Sequence, residues 1–211
     1  YEDIRIIKTN SKGKKIWDKT YGGDKEDIGE GIIESENNTF VVVAGTFSYG
    51  KGGDILLMKI DSDGEVIWQK NYGGDKFGGL REYDGNSVSG RHLTKTPNGG
   101  FLVSGTKGVF KTDSSGSLLW NYSGVWGAFS ARQAVDGSVI IAGPGASGGT
   151  GDLYVVKINS DDGSKSTDNT TTSTWTKQLG TSSSDEGYGV TTDSSGNIYV
   201  TGTTGGDLDG Y

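Results

Sequence analysis

The chain has 211 residues, 31% of them hydrophobic, and a formal net charge of -7. This length suits one domain with a lean core, and the negative charge counts against nucleic acid and anionic lipid surfaces as partners. The absence of cysteine excludes disulfides and thiolate metal sites. No apolar run approaches the roughly 18 residues needed to cross a bilayer, so no transmembrane segment is predicted. The first residue is Tyr1, and we expect a processed or excised piece of a longer chain.

The first predicted elements are a strand, a turn and a strand that carries a tryptophan, and this phrase occurs four times. Its first three copies, "IIKTNSKGKKIW", "LMKIDSDGEVIW" and "VFKTDSSGSLLW", place a lysine nine residues before the tryptophan, and the fourth carries an insertion in its turn. Successive tryptophans are separated by 51, 52 and 55 residues: Trp17, Trp68, Trp120 and Trp175. A fixed period of this length is the signature of a repeat architecture.

A second phrase lies between successive tryptophans and reads as a turn followed by a short apolar strand. Its copies are "NNTFVVVAGT", "NGGFLVSGT", "DGSVIIAGP" and "SGNIYVTGT". Each repeat therefore holds four strands, which in the first complete repeat are "GEGIIES", "TFVVVAGT", "DILLMKID" and "EVIWQKNY". An antiparallel meander of this size cannot bury both of its faces, and radial stacking of such sheets covers them. The predicted fold is an all-β propeller of four blades with four antiparallel strands each.

The two ends of the chain predict how the ring closes. Residues 1–10 read as a third strand without a first or second strand before it, and the chain stops after a second strand. We therefore expect a single β-propeller domain over residues 1–211, with one blade shared between the termini in a 2+2 closure. The blades are expected at about 17–67, 68–119, 120–174, and 175–211 together with 1–16. A four-blade segment of a larger propeller and a two-chain ring of eight blades are the alternatives.

The end of the chain, "KQLGTSSSDEGYGVTTDSSGNIYVTGTTGGDLDGY", resembles the bacterial β-propeller repeat family called SBBP. Units of that family look like "W-x-x-x-G-x-x-x-D-x-x-x-G-V-x-x-D-x-x-G-N-x-Y-V-x-G-x-T", and the match is close over residues 175–211. Residues 11–73 resemble the related "W-x-K-x-Y-G-G" propeller repeats of prokaryotic secreted and surface proteins, whereas residues 74–150 depart from the pattern. The resemblance implies a propeller and an extracellular or cell-envelope location. It implies no reaction, because propellers host many unrelated functions.

Catalytic signatures are sparse in this sequence. His92 is the only histidine, and neither a G-x-S-x-G phrase nor a P-loop occurs. We therefore expect a non-catalytic secreted or cell-surface module that binds a protein or a carbohydrate or serves as structure, and that needs no cofactor. Other domains of the same polypeptide, or further copies of this chain, are also expected partners. The alternative is a carbohydrate-active enzyme with an acidic channel, because the separation of its carboxylates cannot be derived from the sequence.

The candidate binding surface comes from loops that depart from the repeat. The second blade carries about nine extra residues before its inner strand, in the insert "DKFGGLREYDGNSV". On a propeller, the loop into the inner strand and the loop between the second and third strands share one face. Aromatic and arginine side chains of the kind enriched at binding sites are expected there: Tyr49, Phe77, Arg81, Tyr83 and Trp126. The alternative role for these side chains is to close the mouth of the channel.

A candidate calcium site lies at the expected closure. Asp207 and Asp209 would approach Asp3 if the termini share a blade, and carboxylate oxygens are ligands that calcium prefers. The acidic turns "DSDGE" and "NSDDG" are interpreted as hairpin turns instead, because their counterparts "NSKG" and "DSSG" lack the carboxylates.

Charged residues also recur once per repeat. An odd spacing along a strand puts side chains on opposite faces, so we expect the recurring lysines and the aspartates five residues before three of them to contact neighbouring blades. These residues are Lys8, Lys59, Lys111 and Lys157, with Asp3, Asp54 and Asp152. Three N-x-[ST] sequons are candidate glycosylation sites: Asn37, Asn121 and Asn169.

Overall fold

The computed structural model describes residues 2–49, 53–73, 92–105, 108–125, 127–144, 152–164, 174–181 and 183–206. In these ranges the chain forms 16 β-strands and no helix, and every strand pair is antiparallel. The predicted all-β class with antiparallel meanders is therefore confirmed. No helix in the described part of the chain is long and apolar enough to span a membrane. The chain divides into two compact units, residues 1–87 and 88–211.

The first unit contains a two-stranded and a four-stranded sheet. The smaller sheet pairs β1 (Ile4–Thr9) with β2 (Lys15–Tyr21). The larger sheet has the order β3 (Asp27–Glu34), β4 (Phe40–Thr46), β5 (Asp54–Ile60) and β6 (Val66–Tyr72). This order matches the one expected from the four strand phrases of the first complete repeat.

The core of the first unit lies between its two sheets. The middle strands β4 and β5 are buried along almost their whole length, as their continuous apolar runs indicate. By contrast, β1 alternates, so that Ile4 and Ile6 point towards the larger sheet. There they pack with Val42, Leu56 and Met58, and the small sheet thereby covers one face of the large one.

The second unit contains two four-stranded sheets and one two-stranded sheet. The first sheet comprises β7 (Leu93–Lys95), β8 (Phe101–Gly105), β9 (Gly108–Thr112) and β10 (Leu118–Tyr122). The second comprises β11 (Ser130–Gln133), β12 (Val139–Pro144), β13 (Leu153–Ile158) and β14 (Trp175–Leu179). The third pairs β15 (Asp185–Thr192) with β16 (Ile198–Thr204).

The three sheets of the second unit stack face to face around their first strands. One apolar cluster joins the first and second sheets, and another joins the second and third. The first strands of successive sheets also exchange hydrogen bonds: Thr94 Oγ1 donates to Ala131 O at 3.2 Å, and Val190 N donates to Ser130 Oγ at 3.3 Å. Stacked four-stranded meanders whose first strands are neighbours are consistent with a β-propeller-like fold.

Both halves of the expected shared blade are present as separate pairs. In the described residues β1 pairs with β2 alone, and β16 pairs with β15 alone. The structure therefore confirms four-stranded antiparallel sheets but not a closed ring of four blades. The assignment of residues 1–211 to one domain, with the blade bounds given above, stays a prediction.

Candidate functional site

The recurring lysine and tryptophan form a cross-strand pair in every repeat. In the first unit Lys8 lies opposite Trp17. Lys8 Nζ donates to Ser62 O at 2.6 Å, and Trp17 Nε1 donates to the same oxygen at 3.1 Å. Ser62 lies in the turn between β5 and β6, so the pair on the small sheet holds a turn of the neighbouring sheet.

The second unit repeats this arrangement with a more deeply buried pair. Lys111 Nζ and Trp120 Nε1 both donate to Ser160 O, at 3.0 and 2.7 Å. Both Lys111 and Trp120 are 6% exposed, and burial lowers the pKa of Lys111. As expected, this lysine contacts the neighbouring sheet. Its partner, however, is a serine of a hairpin turn and not an aspartate.

Lys157 departs from this pattern. Its Nζ donates to Asp136 Oδ2 at 2.6 Å, and Asp136 lies in the turn between β11 and β12 of the same sheet. The expected contact with a neighbouring blade is therefore wrong for this ion pair. Lys157 pairs within its own sheet because the turn between β11 and β12 places the Asp136 carboxylate within hydrogen-bond distance.

The acidic turns fold as the hairpin turns that the sequence indicated. In "DSDGE", Asp61 Oδ1 accepts hydrogen bonds from the backbone N–H groups of Asp63 and Glu65, both at 2.9 Å. The backbone N–H of Glu65 is the main cause that lowers the pKa of Asp61. Gly64 closes the turn at a φ of 80°, where a residue with a Cβ would be strained. This carboxylate serves the turn itself.

A second cluster brings together two residues that the sequence singled out. We call it the Gly22 site and define it as Asp3, Gly22, Asp27, Ser48 and Tyr49. Gly22 lies between β2 and β3, and the loop with Ser48 and Tyr49 follows β4. Of the residues expected to bind a ligand or a metal, Tyr49 and Asp3 belong to this site.

Asp27 is the buried centre of the Gly22 site, with 0% exposure. Its Oδ2 accepts hydrogen bonds from Ser48 Oγ at 2.6 Å and from Gly23 N at 3.0 Å. Its Oδ1 is buried and accepts no hydrogen bond from any described residue. Because a buried polar atom is normally paired, this oxygen is the unusual feature of the site.

Asp3 reaches the same place from the small sheet. A backbone hydrogen bond brings the two segments together, since Asp27 N donates to Glu2 O, next to Asp3, at 2.7 Å. A Cβ at position 22 would lie 2.5 Å from Asp3 Oδ1 and 2.8 Å from Asp27 Oδ2. A side chain at this position would displace these carboxylates, so both border one point in space.

Tyr49 holds the rim of the site. Its hydroxyl donates to Gly22 O at 2.9 Å, and its ring packs against the core cluster of the first unit. Its backbone oxygen accepts a hydrogen bond from Asn71 Nδ2 at 3.1 Å. Tyr49 is half-buried, so one part of the side chain supports the loop and another part remains at the surface.

The other residues expected at the binding face and at the calcium site lie outside the described residues, and their roles stay predictions. They are Phe77, Arg81, Tyr83, Trp126, Asp207 and Asp209. Within the described ranges, no group of three or more His, Asp or Glu side chains is arranged to hold a metal ion. Asp3 is thus found beside Asp27, a residue that the sequence reasoning did not select.

Asp185 is the counterpart of Asp27 in the second unit. Its Oδ2 accepts a hydrogen bond from Thr181 N at 2.7 Å and lies against Gly180. The hydroxyl of Thr204 and this N–H lower the pKa of Asp185. Asp185 borders a pocket of about 220 Å³, whose other lining residues are Leu153, Leu179, Gly180, Gly202, Thr203 and Thr204.

The one histidine lies between first strands of the second unit. His92 Nδ1 is 3.4 Å from Ser130 Oγ, and Ser130 is 2% exposed. Burial and the nearby charge of Arg132 lower the pKa of His92, which favours the neutral imidazole at pH 7. The pair can share a hydrogen bond between the two strands.

Asp27 and Asp185 had a signal in the sequence that was not used. Both begin a D-x-x-x-G stretch, "DIGEG" and "DEGYG", at the start of the first strand of a sheet. The glycines of these stretches take part in a register shift at Gly29/Gly31 and at Gly187/Gly189. The spacing therefore marks a repeated backbone irregularity with a buried carboxylate beside it.

Comparisons with known proteins agree with the fold. A crystal structure of a protein of unknown function from Bacteroides caccae, at 1.35 Å resolution, matches with a TM-score of 0.53 and 13% sequence identity. The match covers 95% of this chain, and the chain spans 65% of the length of that protein. At this identity the likeness shows the fold alone. No curated protein matches the sequence. Residues 174–209 match the SBBP β-propeller repeat family, which confirms the resemblance seen at the end of the chain.

Proposed function

We propose that this chain is a non-catalytic β-propeller that acts as a binding or structural module, secreted or at the cell surface, with a protein or a carbohydrate as its ligand. One observation carries the proposal: the recurring lysine and tryptophan donate to a turn of the neighbouring sheet in both units. The repeated polar residues thus build the scaffold. In repeat proteins of this kind, binding resides in the loops that vary between repeats.

The loops next to the Gly22 site are the proposed binding face. Tyr49 is half-buried there and is held by its hydrogen bond to Gly22 O. A rigid aromatic ring at a loop costs little entropy to immobilise, which suits recognition of a sugar ring or of an apolar side chain. Phe77, Arg81, Tyr83 and Trp126 are proposed to complete this face.

Binding of polysaccharides separates this proposal from the enzymatic alternative. Affinity electrophoresis of the purified chain through gels with individual polysaccharides should show retarded migration without release of reducing sugar. Trp126→Ala should abolish most of the retardation, whereas Leu119→Ala should not, because Leu119 is exposed on the outer strand β10. Turnover that disappears with one carboxylate substitution would establish the carbohydrate-active enzyme instead. Absence of retardation by any polysaccharide would exclude the carbohydrate ligand.

A closed ring of four blades with a 2+2 closure is part of this proposal. The pair β15–β16 resembles β3–β4, because both begin with an aspartate opposite a threonine: Asp185 faces Thr204, as Asp27 faces Thr46. The pair β1–β2 resembles β5–β6, because both align the recurring lysine with the tryptophan. In the proposed shared blade, β15 and β16 are the first and second strands, and β1 and β2 are the third and fourth strands.

The complete sheet of the first unit predicts the register of this closure. In that sheet Val42 faces Met58. The equivalent residues are Val200 in β16 and Ile7 in β1, so these two should lie opposite each other. Ile7 is 49% exposed, and pairing of β1 with β16 would remove a free strand edge and place Val200 beside this apolar side chain.

The absence of cysteine allows a direct test of the closure. Val200→Cys with Ile7→Cys should form a disulfide within one chain, since directly opposed residues of antiparallel strands have the Cα separation of roughly 4.4–6.8 Å that a disulfide needs. The control, Val200→Cys with Ile6→Cys, should not, because Ile6 points to the opposite face. Disulfide-linked dimers would favour the two-chain ring, and no crosslink would favour an open segment of a larger propeller.

A further inference from the structure

We propose that the first strands of the second unit carry a carbohydrate subsite in which one sugar ring stacks on the side chain of Tyr188. We call it the Tyr188 site and define it as Phe129, Glu186 and Tyr188. The inference rests on the proposed function and deepens it, because it chooses the carbohydrate as the ligand. Trp126, which is proposed for the binding face, lies three residues before Phe129 in the chain.

Two aromatic rings from neighbouring sheets meet at the Tyr188 site. The ring centroids of Phe129 and Tyr188 are 5.3 Å apart, and the ring planes are inclined by 55°. Phe129 directly precedes β11, and its backbone N donates to Ala142 O at 3.1 Å. Tyr188 lies within β15. Both rings are therefore carried by hydrogen-bonded strands, which hold a binding site more precisely than loops do.

Tyr188 remains at the surface in spite of this ring contact. Its side chain is 47% exposed. The register shift in β15 skips it, since Gly187 pairs with Gly202 and Gly189 pairs with Thr201. A β-bulge of this kind re-aims a side chain and is common next to functional sites. The exposed part of the Tyr188 ring is therefore presented to a ligand.

Comparison with the first unit indicates that the bulge does not need an aromatic residue. The corresponding register shift lies between Gly29 and Gly31, and the residue between them is Glu30. The same backbone irregularity thus forms around a glutamate. Because the fold does not require a large aromatic ring here, its exposure at this position favours a role in binding.

The chemistry beside the ring favours a neutral sugar. Glu186 Oε2 accepts a hydrogen bond from the Tyr188 hydroxyl at 2.6 Å, so a carboxylate is fixed at the edge of the ring. A sugar ring presents C–H groups on its face and hydroxyl donors around its rim, so it can stack on the tyrosine and donate to the carboxylate. The carboxylate and the net charge of -7 repel an anionic ligand. A cationic side chain would gain little, because cation–π attraction is weak at an exposed ring.

Affinity electrophoresis with variants of Tyr188 tests the subsite. The mobility of the full chain in gels with increasing hydroxyethylcellulose, xylan, laminarin or starch gives its affinity for each polysaccharide. Tyr188→Ala should lower the affinity for the retarding polysaccharide at least about tenfold, as truncation of a central aromatic contact does. Tyr188→Phe should lose less than Tyr188→Ala, because the stacking ring stays. An equal loss in both variants would contradict stacking.

Tyr199→Ala is the matched control. Tyr199 is a 55% exposed tyrosine of the same two-stranded sheet, and its hydroxyl also donates to a carboxylate, Asp193 Oδ2, at 3.0 Å. This variant should bind as tightly as the wild type, and a loss equal to that of Tyr188→Ala would overturn the inference.

The outcome for Trp126→Ala separates this inference from the proposed function. If Trp126→Ala abolishes binding and Tyr188→Ala binds as tightly as the wild type, the proposed function stands and the Tyr188 site is refuted. If none of the polysaccharides retards the wild-type chain, the carbohydrate ligand and the Tyr188 site are both refuted, and a protein ligand is favoured.

Discussion

Replacement of Trp120 by alanine should test whether the lysine and tryptophan pair holds neighbouring sheets together. Trp120 is 6% exposed and packs in the cluster that joins the first and second sheets of the second unit. Its ring also lies against Gly163, and its Nε1 donates to Ser160 O at 2.7 Å. Trp120→Ala therefore removes both apolar contact and a hydrogen bond from one interface.

The apolar contact accounts for most of the expected loss. Truncation of a buried tryptophan to alanine typically costs about 3–5 kcal/mol. The lost hydrogen bond adds little to this, because Ser160 O keeps its bond from Lys111 Nζ at 3.0 Å and is not left unpaired. Trp120→Phe, which keeps an aromatic ring but not the N–H, should cost only about 1 kcal/mol.

Urea denaturation followed by circular dichroism measures this difference. With an m-value of about 2 kcal/mol/M, Trp120→Ala should lower the midpoint by about 1.5–2.5 M. Leu119→Ala is the control, because Leu119 neighbours Trp120 on β10 but is 55% exposed, and it should change the free energy of unfolding by less than about 0.5 kcal/mol. A loss below about 1 kcal/mol for Trp120→Ala, or an equal loss for both variants, would refute the reasoning.

Two further outcomes follow from the same contacts. Trp17→Ala should cost less than Trp120→Ala, at about 2 kcal/mol in the same urea assay, because Trp17 is only partly buried; an equal loss would contradict the link to burial. Burial raises the pKa of Asp136, but hydrogen bonds from Lys157 and Ser138 outweigh this and hold it at about 2, against an ordinary 3.8. The folded-state pKa is depressed, so Asp136 stabilises the fold above its unfolded pKa, and this contribution is lost as the pH falls through about 2. The thermal midpoint of Asp136→Asn should therefore change less than that of the wild type in this acid range, and parallel curves would exclude the contribution.

The sheets were predictable from the sequence because each strand carries its own signal. Apolar runs marked β4 and β5, and turns with positive φ flank them, at Asn37 and Asn38 before β4 and at Gly53 and Gly64 around β5. The tryptophan spacing gave the number of repeats, since one tryptophan belongs to each outer strand. These signals are local, and a single strand phrase is enough to recognise them.

The partners of the recurring polar residues were not predictable in the same way. The acceptor for Lys8 and Trp17 is a backbone oxygen. Every residue has a backbone oxygen, so the residue types in the sequence do not indicate which one is the acceptor. The contact of Asp3 with Asp27 depends on how the small sheet packs against the large one, across 24 positions of chain. The recurring lysines and the aspartates before them were expected to contact neighbouring blades, but Asp54 accepts a hydrogen bond from Asn71 of its own sheet and Lys157 pairs with Asp136 of its own sheet.

The chain has few hydrophobic residues, and the lysine and tryptophan of the repeat together supply contacts that apolar packing alone does not. In each unit one sheet packs a hairpin turn of its neighbour, and a turn exposes a carbonyl that cannot be buried unpaired without a cost of about 1–3 kcal/mol. A carbonyl oxygen has two lone pairs, and Lys111 Nζ and Trp120 Nε1 supply two donors to Ser160 O. The tryptophan ring adds apolar area at the same contact. The two hydrogen bonds are directional, whereas apolar packing is not, so the pair fixes the orientation of the neighbouring turn as well as its distance.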